Sequence, residues 1–323
     1  MIKWNREESK MDNFIISLNA VLPTFLLMAA GYLLRRIGLA DERFLKQVNR
    51  VTFMVFLPVM LFRNIYSADI RETLNLPVIA LALGALVILF FLLCLIVPRV
   101  VHDNKQKGVI IQGIFRSNYL IFGVSIVTNM FGEEKAAIAA MLSAVLVPSY
   151  NFLAVIVLEA FTNGGKIDKK NTVLSILKNP LIIASVLGII VAISGLQFPE
   201  FLDQTFNQLG RVATPLALIV LGGDFRVSAL KGRLFKALAV SLIKLVAVPA
   251  AMIPAAVMIG LRDEALMAVV IAGASPVAVS SYIMAQQADA DYELAGQIVM
   301  FSSFLCLFTM FGWIYLLKTL GFI

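Results

Sequence analysis

Ten apolar runs, each long enough to cross a bilayer, follow one another along this chain: 13–34, 44–65, 76–98, 108–130, 136–161, 173–194, 202–222, 234–259, 265–286 and 294–317. About 20 such residues span a hydrocarbon core of roughly 30 Å. Only helices and closed barrels satisfy their own backbone there, and runs of this length select helices. The connections are short, and no soluble domain is inserted between them. The expected fold class is therefore an all-α polytopic membrane protein with ten transmembrane helices. Composition agrees: 60% of residues are hydrophobic and 15% charged, whereas soluble domains carry about 25% charged residues.

Several function classes fall away on this basis. The excess of Lys and Arg over Asp and Glu, 27 against 20, is a matter of membrane topology, and no nucleic-acid partner is expected. Cys94 and Cys306 lie in separate apolar runs and predict no disulfide. The single histidine, His102, sits in a connection, so a Ser/His protease would lack a buried base. Neither an HExxH metal motif nor a Gly-x-x-x-x-Gly-Lys phosphate loop occurs, so no metal, cofactor or nucleotide is expected. Gly222-Gly223-Asp224 superficially resembles an intramembrane aspartyl protease motif, but no second intramembrane aspartate accompanies it. Residues 1–12 read as a polar tail. The first apolar run is too long for a cleavable signal and lacks a small-residue cleavage site.

The chain also repeats itself. At an offset of 157, Pro23 falls on Pro180, Gly31 on Gly188, Gly38-Leu39 on Gly195-Leu196, Gln47 on Gln204 and Pro58 on Pro215. Proline and glycine fix backbone geometry, so their coincidence carries more than matched leucines do. The repeats are 13–162 and 173–323, joined by a Gly- and Lys-rich linker at 163–172. An odd number of crossings per repeat makes the second enter from the opposite side, giving a 5+5 inverted repeat. Placing both termini outside gathers Arg35, Arg36, Arg43, Lys46, Lys166, Lys169, Lys170, Arg226, Lys231 and Arg233 on the inner face, as the positive-inside rule requires of a protein in the cell membrane.

Two runs contain what a membrane helix should avoid. The fourth carries Arg116-Ser117-Asn118 and then Gly123; the ninth carries Gly273, Ser275, Pro276 and Ser280-Ser281. The repeat offset puts Asn118 on Ser275 and Tyr119 on Pro276. Polar, Gly- or Pro-interrupted segments at matching places in two halves point to a transport site. Ser275 as N-cap with Pro276 at the first helical position predicts a helix restarting there, and Asn118 predicts a similar cap opposite. The freed N–H groups and positive helix ends would suit an anion. Pro58 and Pro215 also match, with nothing polar clustered about them, and read as kinks.

Four basic residues lie within runs: Arg50, Arg116, Arg211 and Lys244. Arg50 is close enough to an edge to snorkel. Arg211 and Lys244 have carbonyls freed by Pro215 and Pro249 as alternative partners. Glu159 and Asp224 are both near run ends, and Asp224 reads as an end-cap or ion-pair residue. The membrane interior is thus short of acids, and Arg116, next to Asn118, is the leading candidate for gripping a carboxylate in a two-pronged contact.

With these residues in view, the sequence resembles the auxin efflux carrier family, which includes bacterial malate- and malonate-permease-like proteins and plant PIN auxin exporters. The resemblance extends from Asn13 onward and rests on the 5+5 spans, on Phe115–Asn118 with Gly123 after it, and on Ser275-Pro276. It implies that helices 4 and 9 are broken and cross, with substrate near the crossing, where an Asn of helix 4 helps recognise a carboxylate. Here that is Asn118, with Ser275 and Pro276 across from it. Val124 stands where many members carry proline, so the residues leave open how sharply helix 4 breaks.

The expected function is a secondary transporter moving a small organic anion, a carboxylate, through the lipid bilayer by alternating access. Candidate substrate-binding residues are Arg116, Asn118, Gly123, Ser275, Pro276, Ser280 and Lys244. The resemblance also admits a homodimer, without a surface patch to assign to it. Alternatives are a drug/metabolite-type carrier for neutral or cationic solutes, which has ten spans but no reason to break the fourth and ninth, and a sodium-coupled carrier like the bile-acid symporters.

Overall fold

The computed structural model describes residues 22–67, 75–162, 174, 177–225 and 232–323. The N-terminal tail, the start of the first run and the 163–172 linker lie outside the described residues. Among the described residues the regular structure is helical throughout. In chain order the helices are α1 (22–36), α2 (Glu42–Tyr66), α3 (Leu76–Val100), α4 (Asn104–Phe115), α5 (Tyr119–Phe131), α6 (Ala137–Thr162), α7 (Pro180–Ser194), α8 (Glu200–Asp224), α9 (Leu234–Met258), α10 (Asp263–Ala274), α11 (Ser280–Gln287) and α12 (Tyr292–Thr319).

Five of these, α2, α3, α6, α9 and α12, are long and apolar enough on their own to cross a membrane. The other runs fall short for physical reasons. The fourth and ninth are each divided in two, α7 has 15 residues, and α8 begins with charged and polar residues through its first turns. Leu26, Phe91, Ile193 and Met258 are more than half exposed, an inversion of the soluble pattern that suits helices whose solvent is lipid. The chain is a multi-pass membrane protein.

Helix starts are set by short polar side chains. Asp41 accepts from the Phe44 N–H at 2.7 Å, Asn179 from the Leu181 N–H at 2.9 Å with Pro180 following, and Asp291 from the Leu294 N–H at 3.0 Å. Each satisfies a donor that the first turn leaves free. α2 and α9 each contain one π-helical turn, Thr52–Phe56 and Ile243–Ala247, ending just before Pro58 and Pro249. Proline has no N–H to give to the preceding turn, and widening that turn absorbs the misfit. In α9 the widened turn carries Lys244.

The helices sort into two packing groups. α2 packs on α7 and α8, and α1 joins them at Gly31 and Met28; α3, α4, α5, α6, α9, α10, α11 and α12 pack among themselves. The groups meet where α6 touches α2 and α7, and where α8 touches α11, with further contacts of Asn49 of α2 to Gln286 of α11 and of Phe25 of α1 to Phe304 of α12. Close approach within the first group depends on glycines, among them Gly31 and Gly188. A methyl group on Gly31 would sit 1.9 Å from the Ile219 carbonyl oxygen, and one on Gly188 3.0 Å from the Phe62 carbonyl oxygen.

Arg50 and Arg211 are exposed, so neither contributes to the interior. Asp224 forms the helix-end ion pair read from sequence: Arg35 lies 3.5 Å away and also donates to the Gly223 carbonyl at 2.7 Å. Asp224 further accepts hydrogen bonds from the Tyr282 hydroxyl and from Gln286 at 3.3 Å.

Candidate functional site

Both interruptions are definite, and they touch. α4 ends at Phe115, residues 116–118 are non-helical, and α5 starts at Tyr119; α10 ends at Ala274, and α11 starts at Ser280. The Asn118 N–H donates to the Pro276 carbonyl at 2.8 Å. The absent proline near Val124 therefore does not soften the break in the fourth run, because its geometry is fixed by the partner break instead.

Proline explains the chemistry behind the crossing. In a continuous helix the Ala272 carbonyl would accept from the N–H of residue 276, and Pro276 has none. Three side chains fill the place: the Ser117 hydroxyl, the Lys244 ammonium at 3.2 Å and the Tyr150 hydroxyl at 3.4 Å. Lys244 also donates to the Ser117 oxygen and is fully buried. It reaches its position because the π turn of α9 faces the break.

One expectation is corrected here. Ser275 does not cap a helix beginning at Pro276. It is the C-cap of α10, with φ −74° and ψ 155°, and the second half begins at Ser280. A residue before proline is driven to extended backbone. The segment then stays extended because the Pro276 carbonyl serves Asn118 and the Val277 N–H donates to the Ser302 hydroxyl at 3.1 Å. The Ser275 hydroxyl is wholly buried and finds no hydrogen-bond partner among the described residues. Asn118 does occupy the N-cap position of α5, but its side chain makes no capping bond.

In front of the crossing lies a small cavity of about 60 Å³. Its polar side is Arg116, Ser117, Asn118, Tyr150, Asn151 and Ser280; its other wall is Leu57, Met60 and Leu61 of α2 with Thr214 and Ala217 of α8. It therefore lies between the two packing groups. The α5 start at Asn118–Leu120 and the α11 start at Ala278–Ser280 both line it, bringing two positive helix ends to one space.

Arg116 dominates this space electrostatically. It is 2% exposed and donates to the Ser280 hydroxyl at 2.7 Å, to the Asn151 side-chain oxygen and to the Met284 sulfur at 2.7 Å. All three acceptors are neutral, and the thioether is a weak one. Among the described residues no carboxylate forms an ion pair with Arg116 or Lys244.

Of the residues singled out from sequence, Arg116, Asn118 and Ser280 come together on the cavity wall. Lys244, Ser275 and Pro276 sit behind it, in the crossing. Gly123 lies under Tyr119: a methyl group there would be 2.8 Å from the Tyr119 ring. Sequence reasoning missed Tyr150 and Asn151 on α6 and Thr214 on α8. Asn151 had a usable signal, being an amide within an apolar run three residues after Pro148. Thr214 directly precedes Pro215, and Leu57 precedes the matching Pro58, so these prolines flank the cavity wall.

A family described as "Membrane transport protein" matches residues 16–314. An uncharacterized transporter from Methanocaldococcus jannaschii is 26% identical over 321 residues, covering 94% of this chain and 100% of that protein. An uncharacterized transporter from Methanothermobacter thermautotrophicus is 24% identical, covering 93% of this chain and 98% of its own. The uncharacterized transporter YfdV of Escherichia coli K12 is 26% identical over 288 residues, covering 83% of this chain and 87% of its own.

Proposed function

Because the chain belongs to the membrane transport protein family, that of the auxin efflux carriers, we propose that it is a secondary carrier that moves small organic anions, carboxylates, across the cell membrane by alternating access. The observation that carries this reading is Arg116: a buried guanidinium facing a cavity, with neutral partners alone. A buried charge lacking a counter-charge is costly, by several kcal/mol even after relaxation. A carboxylate bound in the cavity removes that penalty and matches the guanidinium fork. Asn118, whose side chain has no partner among the described residues, and Ser280 complete the polar contact. Lys244 adds positive potential from behind, Ser275 and Pro276 shape the crossing, and Gly123 seats Tyr119.

We read the whole as ten crossings in a 5+5 inverted repeat with both termini outside. Reciprocal contacts support this: Gly31 lies on Ile219 and Gly188 on Phe62, and each member of one pair is 157 residues from its counterpart in the other. The same offset relates Leu57 to Thr214 and Met60 to Ala217 on the cavity wall. The group of α1, α2, α7 and α8 would serve as the scaffold against which the crossing group moves. Substrate would bias that motion only through a difference in its affinity for the two positions.

The reading is tested by melting the purified protein against mono- and dicarboxylates, indole-acetate-like aromatics, neutral amino acids and organic cations, with and without sodium. A ligand of the folded state raises apparent stability by RT ln(1 + [L]/Kd). A dose-dependent rise with one carboxylate class, lost in Arg116→Gln and Asn118→Ala, is expected. A response to cations or neutral solutes alone would overturn the anion assignment, and a rise that requires sodium would make the carrier sodium-coupled.

A further inference from the structure

A second space opens at the ends of α6, α7 and α11. Its volume is about 430 Å³, and Phe53, Leu158, Lys178, Asn179, Met284 and Gln287 are among its walls. Lys178 and Gln287, both polar and near helix ends, are exposed, and the vestibule lies on the side on which α6 ends and α7 begins. Like the first cavity, it lies between the two packing groups: Phe53 and Asn179 come from one, Leu158 and Met284 from the other.

Met284 links the vestibule to the guanidinium that lines the inner cavity. It is 3% exposed and lines the vestibule, while its sulfur takes the Arg116 Nη1 hydrogen at 2.7 Å. Arg116 in turn lines the inner cavity. One side chain thus stands between the vestibule and Arg116 and occupies a donor of the guanidinium that a carboxylate would use. Met is unbranched and adaptable, and its thioether is the weakest of the three acceptors on Arg116.

We infer that Met284 is the plug of the access route. On this reading, which rests on the proposed anion site, a carboxylate enters from the vestibule and reaches Arg116 by displacing the Met284 sulfur. Met284 is thereby a positioning residue: it holds the Arg116 guanidinium in place when no substrate is bound and selects for ligands that outcompete a thioether. The exchange breaks one weak hydrogen bond and forms a charge-assisted one.

The route is tested with the full chain in detergent, carrying Cys94→Ala, Cys306→Ala and a reporter, Thr214→Cys, on the far wall of the cavity. The rate of modification by a small charged methanethiosulfonate is measured without any carboxylate present. Met284→Ala is expected to raise that rate about tenfold by favouring the open path, and Met284→Leu to stay within about twofold of the parent. Gln287→Trp, at an exposed position filling the vestibule, is expected to slow it. Should Met284→Ala fail to fold, Gln287→Trp decides. Either Met284→Ala or Gln287→Trp labelling at the parent rate overturns the route. Protection of the reporter by malonate is a separate readout: its absence sinks the anion site, whereas unchanged labelling in these variants sinks the plug.

Discussion

The Asn118 N–H and the Pro276 carbonyl meet at 2.8 Å, and this bond makes the two broken helices one unit. Each break leaves backbone groups that lipid would not satisfy. Asn118 gives its hydrogen to the Pro276 carbonyl within the ninth-helix break, while its neighbour Ser117 covers the Ala272 carbonyl in the last turn before it. A two-residue stretch of the fourth run therefore serves two of the carbonyls that the break in the ninth sets free. The same arrangement sets the residue before this stretch, Arg116, on the cavity wall.

The backbone and side chain of Asn118 should separate cleanly by mutation. Asn118→Ala retains the N–H and is expected to leave the melting temperature nearly unchanged while abolishing the carboxylate-induced rise. Asn118→Pro fits the φ of −79° but deletes the donor, leaving the Pro276 carbonyl unpaired at a loss of about 1–3 kcal/mol. Melting of both variants without ligand, and then with malonate, checks the distinction.

Lys244 is expected to act on the anion through space rather than by contact. In Lys244→Met the Ala272 carbonyl keeps Ser117 and Tyr150 as donors, so folding should survive. Carboxylate affinity is expected to fall about tenfold, equivalent to roughly 1.4 kcal/mol, whereas Arg116→Gln removes binding altogether. Titration of both variants by calorimetry checks the order; equal losses would place Lys244 in direct contact with substrate.

The sequence foretold the breaks better than their details. Arg116-Ser117-Asn118 and Ser275-Pro276 stand out because polar residues and proline are costly in an apolar run, and the repeat offset pairs them. The restart at Ser280 was not legible, because it depends on who accepts from whom across the crossing: Pro276 serves Asn118, and Val277 turns to Ser302. Local capping preference at Ser275 lost to those tertiary bonds. Asn151 and Thr214 were hidden for another reason. A single amide or hydroxyl in a helix gives no clue to the facing group until packing brings α6 and α8 to the same cavity. The packing of α1, α2, α7 and α8 was partly visible in Gly31 and Gly188, whose repeat predicted special backbone positions without naming the neighbours.

Those two glycines should behave alike and unlike a third. Gly31→Ala forces a methyl group to within 1.9 Å of a backbone oxygen, which cannot yield as a side chain would, and Gly188→Ala meets the Phe62 oxygen at 3.0 Å. Overpacking of this kind costs about 1–3 kcal/mol or more, with Gly31 the more severe. Gly84 has nothing within 4 Å of its would-be methyl, and Gly84→Ala in mid-helix is expected to be neutral or to stabilise by about 0.5–1 kcal/mol. Melting of the three variants side by side gives the ranking; a harmless Gly31→Ala would contradict the close contact of α1 with α8.

The Asp224 cluster offers a test of how the two packing groups are held together. Asp224 belongs to α8, whereas Tyr282 and Gln286 belong to α11, and the bonds between them cross the group boundary. Asn49 of α2 donates to Gln286 on the same boundary. Asp224→Ala leaves the buried Tyr282 hydroxyl without its acceptor, while Arg35 keeps the Gly223 carbonyl, so a stability loss of about 1–3 kcal/mol is expected. Tyr282→Phe removes the donor along with the need for it and should cost less. In a double-mutant cycle the pair should couple by more than about 0.5 kcal/mol. If the boundary opens during transport, Tyr282→Phe also shifts the balance toward the open position, so its transport rate and its apparent carboxylate affinity should both change. Additive effects in the cycle would mean that this contact does not join the groups.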